Sequence, residues 1–405
     1  MKAVVFTLGC KVNEVESASI MSALESLGWQ TDNALGYADA YVLNTCAVTR
    51  EAEKKSRQLI ARAKKFNADA KIFVCGCASE KDKKSFEDKG VTFVTGARKK
   101  EEVITAFTKI YGGYDCGLLY PKQVRTRAFI KIQDGCNNFC SYCVIPYLRG
   151  REVSRPMDDI LKEISRTDSP EIVLNGINIS SYNGGDLVPL IEKLKSVKKR
   201  IRLGSLECNV IDERLLTALA GLYDFAPQFH LSLQSGSDSV LKAMNRHYTR
   251  TQYLEKCALI YKHFPTAAIT TDIIAGFPTE TEEDFLESLS IISEARFARV
   301  HAFPFSPREG TVAYKMKDIP PSVKSERLNR LLEAAKTSEN KFLNGFSGTE
   351  QTIIAEDFEE GYTSGYTGNY IRVYVSGKLQ AGKKYKAILK QIFKDGVLGE
   401  INEQI

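Results

Sequence analysis

Asp134-Gly135-Cys136-Asn137-Asn138-Phe139-Cys140-Ser141-Tyr142-Cys143 follows directly on a strand-like run, Phe129–Ile132. Three cysteines spaced C-x3-C-x2-C in one loop can wrap one face of a 4Fe-4S cube. With no fourth cysteine at matching spacing, one iron is left without a protein ligand. An open iron can chelate a small molecule, as an open position on catalytic zinc does. The competing reading is a structural zinc site with a distant fourth ligand. It would call for a second C-x2-C knuckle or a pair of histidines, and neither is present.

Working outward, strand patterns continue downstream at Ile172–Asn175, Ile201–Ser205, Phe229–Ser232, Ala268–Ile274 and Arg299–Phe303, with helical patterns between them such as Met157–Thr167 and Glu283–Ala295. Six βα units point to a partial (β/α)6 barrel over residues 122–344. Upstream, Ala3–Leu8, Ala40–Asn44, Lys71–Cys75 and Val91–Thr95 read as short strands. They alternate with helices over Glu14–Leu27, closed by Gly28, and Thr49–Phe66, capped by Thr49. That rhythm predicts a doubly wound parallel sheet over residues 1–115. From residue 345 the period changes to two, as in Tyr370-Ile371-Arg372-Val373-Tyr374-Val375, and glycines mark turns. Residues 345–405 therefore read as a small all-β barrel, making the chain α/β with a β appendix.

Composition narrows the class. The 405 residues exceed a single ordinary domain, and 43% hydrophobic with 26% charged residues exclude a disordered chain. No run approaches a membrane span. Met1–Leu8 reads as a first strand, not as a signal peptide, so a reducing, cytoplasmic setting is expected. There the ten cysteines call for metal binding or chemistry and not for disulfides. A net charge of +6 is too weak to argue for a nucleic-acid partner.

Three of those cysteines recur at strand ends of the N-terminal domain: Cys10, Cys46 and Cys77. Ligands of open α/β sheets collect outside the carboxyl ends of the strands, so these three are expected to converge on a second site. Cys75 is an alternative to Cys77, which is preferred because it follows the turn glycine Gly76. Cys75, Cys116, Cys208 and Cys257 otherwise read as buried small hydrophobes.

An aromatic residue before the last cysteine of C-x3-C-x2-C resembles the radical S-adenosylmethionine (SAM) superfamily. Together with the N-terminal triad, the chain is similar to the methylthiotransferases along its whole length. Supporting segments are Ile145-Pro146-Tyr147-Leu148-Arg149-Gly150-Arg151, Asn175-Gly176-Ile177-Asn178, His230 to Gly236, Asp272 to Pro278 and Phe303 to Gly310. Thr7-Leu8-Gly9-Cys10-Lys11-Val12-Asn13 resembles the branch acting on N6-threonylcarbamoyladenosine in tRNA. The N6-isopentenyladenosine branch has a Gln-Met-Asn tripeptide after that cysteine, and the ribosomal-protein branch a Pro-Lys-Asn-like one. Cys208 stands where the family would have proline.

The resemblance implies two 4Fe-4S clusters, on Cys136, Cys140 and Cys143 and on Cys10, Cys46 and Cys77. It implies SAM bound near Tyr142, Gly176, Asn178, Ser205, Glu207 and Gln234, and cleaved to a radical that takes hydrogen from the substrate. It further implies a C-terminal TRAM domain, a tRNA anticodon stem-loop as partner, a flavodoxin- or ferredoxin-like electron donor, no membrane association and a monomer. A non-catalytic iron–sulfur RNA-binding sensor is the alternative of another class.

Remaining candidates are weaker. Arg149, Arg151 and Arg155 form a basic stripe suited to RNA phosphate or to solvent. Tyr362, Tyr366 and Tyr370 near Arg372, Lys383, Lys384 and Lys386 suit base stacking, with the RNA face expected in the second half of the barrel. His301 lies near the end of a barrel strand and could face the substrate, but reads better as a satisfied core histidine.

Overall fold

The computed structural model describes residues 1–122 and 126–404. The chain gathers into two compact units. One joins the N-terminal domain with Asp134–Val153 and Ser306–Tyr314; the other holds the strand up to Gln133, Ser154–Phe305 and the chain from Lys315 onward.

In the first unit, five parallel strands lie in the order Gln30–Asp32, Lys2–Thr7, Ala40–Thr45, Lys71–Gly76, Phe93–Val94. The edge strand Gln30–Asp32 is too short and polar to show in the pattern. Helices cover both faces. Ile20 and Leu24 of helix Lys11–Ser26 pack with Val103 and Phe107 on one face. Leu59, Ile60 and Ala63 of helix Arg50–Phe66 pack with Ala78 and Phe86 on the other. The Thr49 hydroxyl caps the second helix, accepting from the Ala52 amide at 3.1 Å. Val144 and Leu148, just past the cysteine loop, join that second core.

In the second unit, six consecutive parallel strand positions curve around: Arg127–Asp134, Glu171–Gly176, the stretch Arg200–Leu203 and Ser205–Leu206, Gln228–Leu231, Ala268–Ala275 and Arg299–Pro304. Alternation decides the two faces. Ile130, Leu174, Leu203, Leu231 and Ile273 turn outward into the helical shell and form the main core. Lys131, Asn175, Arg202, His230 and Asp272 occupy the intervening positions and face inward. After helix Pro321–Asn344, five strands close a small barrel over Glu350–Gln404.

That small barrel seals the amino-terminal end of the strands. Arg127 donates to Tyr370 Oη at 2.6 Å and to Glu356 at 2.9 Å. Tyr370 stacks on Tyr366 at 4.6 Å, with the Arg202 guanidinium 4.5 Å above its ring. Lys384 reaches Asp224 at 2.6 Å. These contacts overturn the expectation that Tyr366, Tyr370 and Lys384 serve RNA: stacking and charge pairing against the half-barrel already occupy them. Lys386 is likewise drawn to Glu403 at 3.1 Å. His301 is also corrected: it is exposed on the open-edge strand and not packed in the core.

Candidate functional site

The C-x3-C-x2-C loop is shaped by its own backbone. Gly135 sits at φ +73°, and a Cβ there would lie 2.0 Å from the Arg151 carbonyl oxygen, so only glycine fits. The Cys136 amide donates to Gly150 O at 3.1 Å, and the Cys143 amide to Cys140 O at 2.9 Å. Phe139 turns left-handed at φ 47° and lies under the Arg151 guanidinium, 4.6 Å away. Cys140 is buried, while Cys136 and Cys143 are half-buried.

The other triad is built by topology. Cys10 immediately precedes helix Lys11–Ser26, Cys46 follows strand Ala40–Thr45, and Cys77 opens helix Cys77–Lys81 after strand Lys71–Gly76. The strands before them are parallel sheet neighbours, so all three leave by the same edge. Gly9, at φ +108°, lets the chain pass Cys46: a Cβ would sit 2.9 Å from its Cβ and Sγ. Burial raises the Cys46 and Cys77 thiols, and the neighbouring thiols of the triad, Cys10 included, push in the same direction. Cys75 packs into the opposite core with Val103 and Phe107, where burial pushes its thiol up to about 11. The geometry therefore gathers Cys77 with Cys10 and Cys46, and leaves Cys75 on the far face.

A buried polar network lies beside Cys77, and no sequence signal marked it. Arg149 donates to Glu16 and to Asp134, each at 3.0 Å, and to Asn13 Oδ1 at 2.6 Å. Lys100 pairs with Glu16 and donates to Asn44 Oδ1 at 2.9 Å. Asn13 Nδ2 closes on the Leu8 and Thr45 carbonyls at 2.7 and 3.1 Å. Burial alone would lower the Arg149 pKa, but Glu16 and Asp134 carry it well above the ordinary value. Against the burial that raises the Cys77 thiol, Arg149 and Lys100 pull it back. Arg149 is thus a buried counter-charge tying the loop to the sheet, which corrects its reading as part of a phosphate-binding stripe. Arg155 is corrected too, since it is held by Glu163 at 2.7 Å and Lys131 O at 2.6 Å. Arg151 stays exposed over Phe139.

The segment Ser306–Tyr314 closes the same unit. Ala313 donates to Ser141 O at 2.7 Å, and Arg308 reaches Ala47 O at 2.7 Å and Glu53 at 2.6 Å. Of the remaining cysteines, Cys208 and Cys257 are buried as expected, whereas Cys116 is only half-buried beside Ser26.

At the carboxyl ends of the half-barrel strands, Gln133 Oε1 accepts the Asn178 amide at 2.8 Å and Ser180 Oγ accepts the Glu207 amide at 2.8 Å. These two bonds gather Gly176, Asn178 and Glu207. Glu207 is paired with Arg246 at 3.0 Å, a partner that sequence reasoning missed. Ser205 is exposed; Gln234 is buried, left-handed at φ 74° and bonded through its amide to Asp272 O at 2.8 Å. Tyr142 is half-buried in the cysteine loop.

A profile of the radical SAM superfamily matches residues 130–292, and one described as uncharacterized protein family UPF0004 matches residues 2–96. Across 97% of its length the chain is 37% identical to a Chlamydia pneumoniae protein named threonylcarbamoyladenosine tRNA methylthiotransferase MtaB, covering 96% of that protein. This chain belongs to the radical SAM methylthiotransferase family. A Thermotoga maritima relative with the same name is 33% identical over 97% of this chain and 95% of its own length. A Thermosipho africanus relative, named tRNA-2-methylthio-N(6)-dimethylallyladenosine synthase, is 34% identical over 99% of both chains. The fold is like that of the radical SAM methyltransferase TsrM from Kitasatospora setae, at TM-score 0.57, 12% identity and coverage of 75% of this chain and 74% of that one.

Membership of this methylthiotransferase family brings a 4Fe-4S cluster and SAM, with a second cluster typical of methylthiotransferases. The residues fit. Each site brings three thiols, the ligand number that leaves one iron of a cubane open. Beside Cys77, the buried Arg149 Nε lacks a protein acceptor, an orphan donor suited to cluster or thiolate sulfur.

Proposed function

We propose that the chain adds a methylthio group to carbon 2 of N6-threonylcarbamoyladenosine next to the tRNA anticodon. The observation that carries the reading is the pairing of two open-ended cysteine triads with near-full-length similarity to relatives named for that reaction. Cys136, Cys140 and Cys143 hold one cluster, and Cys10, Cys46 and Cys77 the other. When bound, the reduced cluster and SAM supply a 5′-deoxyadenosyl radical for an aromatic C–H that is too strong and too weakly acidic for a side-chain base.

The protein's own residues do the positioning. Gly176, Asn178, Ser205, Glu207 and Gln234 serve SAM, with Gln133 and Ser180 fixing the loop backbones and Arg246 orienting Glu207, while Tyr142 serves it from beside the cluster cysteines. Arg149 compensates thiolate charge at Cys77. Residues 1–115, 122–344 and 345–405 form the cluster, radical and TRAM parts. Tyr362, with Phe393 5.3 Å away and Lys394 beside it, offers an aromatic and basic surface for tRNA away from the docked tyrosines. A flavodoxin- or ferredoxin-like donor supplies electrons, and the enzyme works as a cytoplasmic monomer. No helix among the described residues is long and apolar enough to cross a membrane.

Nucleoside mass spectrometry tests the assignment. tRNA from a strain deleted for this chain is expected to lose 2-methylthio-N6-threonylcarbamoyladenosine and regain it on complementation. Persistence of that nucleoside in the deletion defeats the reading, and loss of the isopentenyl nucleoside instead would assign the other tRNA substrate.

A further inference from the structure

The concave face of the half-barrel carries polar groups where an apolar ligand site would carry aliphatic ones. On one wall, Asn175 is only 6% exposed and its Nδ2 is buried without an acceptor. A buried donor left unpaired is destabilising, so its retention points to a hydrogen-bonding ligand.

The wall at the open edge is pre-organised. Asp272 can only accept from its neighbour, so His230 Nε2 donates to Asp272 Oδ2 across 3.2 Å, and His230 Nδ1 accepts from the Thr270 hydroxyl at 3.0 Å. Gln228 Nε2 donates to the same hydroxyl at 3.0 Å. This chain pins the Asp272 carboxylate while its side chain keeps 28% exposure. His301 lies in register with Asp272 on the last strand, its ring centroid 6.0 Å from that of His230, and is exposed. Sequence patterning gives His230 no role and leaves His301, near a strand end, able to face the substrate.

We infer that Asp272 and His301 are specificity-determining residues that read the polar substituent on the N6 atom of the substrate adenosine. The inference rests on the substrate reading above. A threonylcarbamoyl group offers ureido N–H donors, a hydroxyl and a carboxylate: Asp272 accepts from the first, and the His301 ring N–H donates to the others. An isopentenyl chain of similar reach has no polar atom, so it would displace water from Asp272 and His301 without offering either a hydrogen bond in return. Sites that hydrogen-bond their substrate reject such analogues far more strongly than apolar pockets reject an extra methylene.

The test uses the full-length reconstituted protein and synthetic anticodon stem-loops carrying threonylcarbamoyladenosine, isopentenyladenosine or plain adenosine at the same position, with Kd read by fluorescence anisotropy. Wild type is expected to bind the threonylcarbamoyl stem-loop best. In His301→Leu and the isosteric Asp272→Asn, its advantage over plain adenosine is expected to fall on the order of tenfold. His301→Gln, which keeps a donor, recovers part of that advantage. A purely structural role would weaken all three RNAs together and leave the ratio unmoved, and an unmoved ratio in both His301→Leu and Asp272→Asn overturns the inference. A wild-type preference for the isopentenyl stem-loop would instead sink the substrate reading, whatever the variants do.

Discussion

The two cysteine triads present the same donor set by opposite routes. One occupies eight consecutive positions, Cys136 to Cys143, in a loop held by its own turn hydrogen bonds. The other draws Cys10, Cys46 and Cys77 from the ends of three neighbouring parallel strands. A local loop needs only its backbone to be right, whereas the remote triad needs the whole sheet in register. Arg149 joins the two schemes, because it follows the loop in sequence and is buried against Asn13 and Glu16, beside the remote triad.

The sharpest way to break this comparison is to remove one cysteine from each side. Cys140→Ala is expected to abolish SAM cleavage and reduce iron after anaerobic reconstitution from about eight to about four per chain. Cys46→Ala should show the same iron loss yet still release 5′-deoxyadenosine in the presence of dithionite, while methylthio transfer disappears. If Cys46→Ala also stops SAM cleavage, the sites are not separable. Iron assay and product chromatography decide between these outcomes.

Next in size is Arg149→Met, which leaves Glu16 and Asp134 buried or half-buried without their shared cation. Breaking such a pair from one side costs about 3–5 kcal/mol, so the urea midpoint of the apo chain should fall markedly. The same variant should lower iron retention at the remote triad. A midpoint unchanged from wild type would show that the network does not bind loop and sheet together.

The smallest effect is expected at Cys75. Cys75→Ala removes one buried sulfur from the core around Phe107 and should cost about 1 kcal/mol by thermal denaturation, with the iron content unchanged. Iron lost to the extent seen for Cys77→Ala would reverse the choice between the two cysteines.

Much of this was legible in advance. The six half-barrel strands, the capped helix after Thr49 and the strand-end cysteines all follow from short-range periodicity and from the rule that ligands gather at strand carboxyl ends. Arg149 and the C-terminal tyrosines were misread for one reason. An arginine near a loop, or tyrosines among lysines, look the same in sequence whether their partner is RNA or another part of the chain. Tyr370 meets Arg127 across 243 positions, and Arg149 meets Glu16 across 133.

Backbone propensity, side-chain alternation and ligand spacing act over a few residues, so the linear order of the chain was enough for the elements and for the first triad. Charge pairing and stacking depend on which surfaces the packed elements bring together. Only the tertiary structure could therefore place Cys75 in the opposite core from Cys77, bury Arg149 between Glu16 and Asp134, and line the half-barrel with His230, Asp272 and His301.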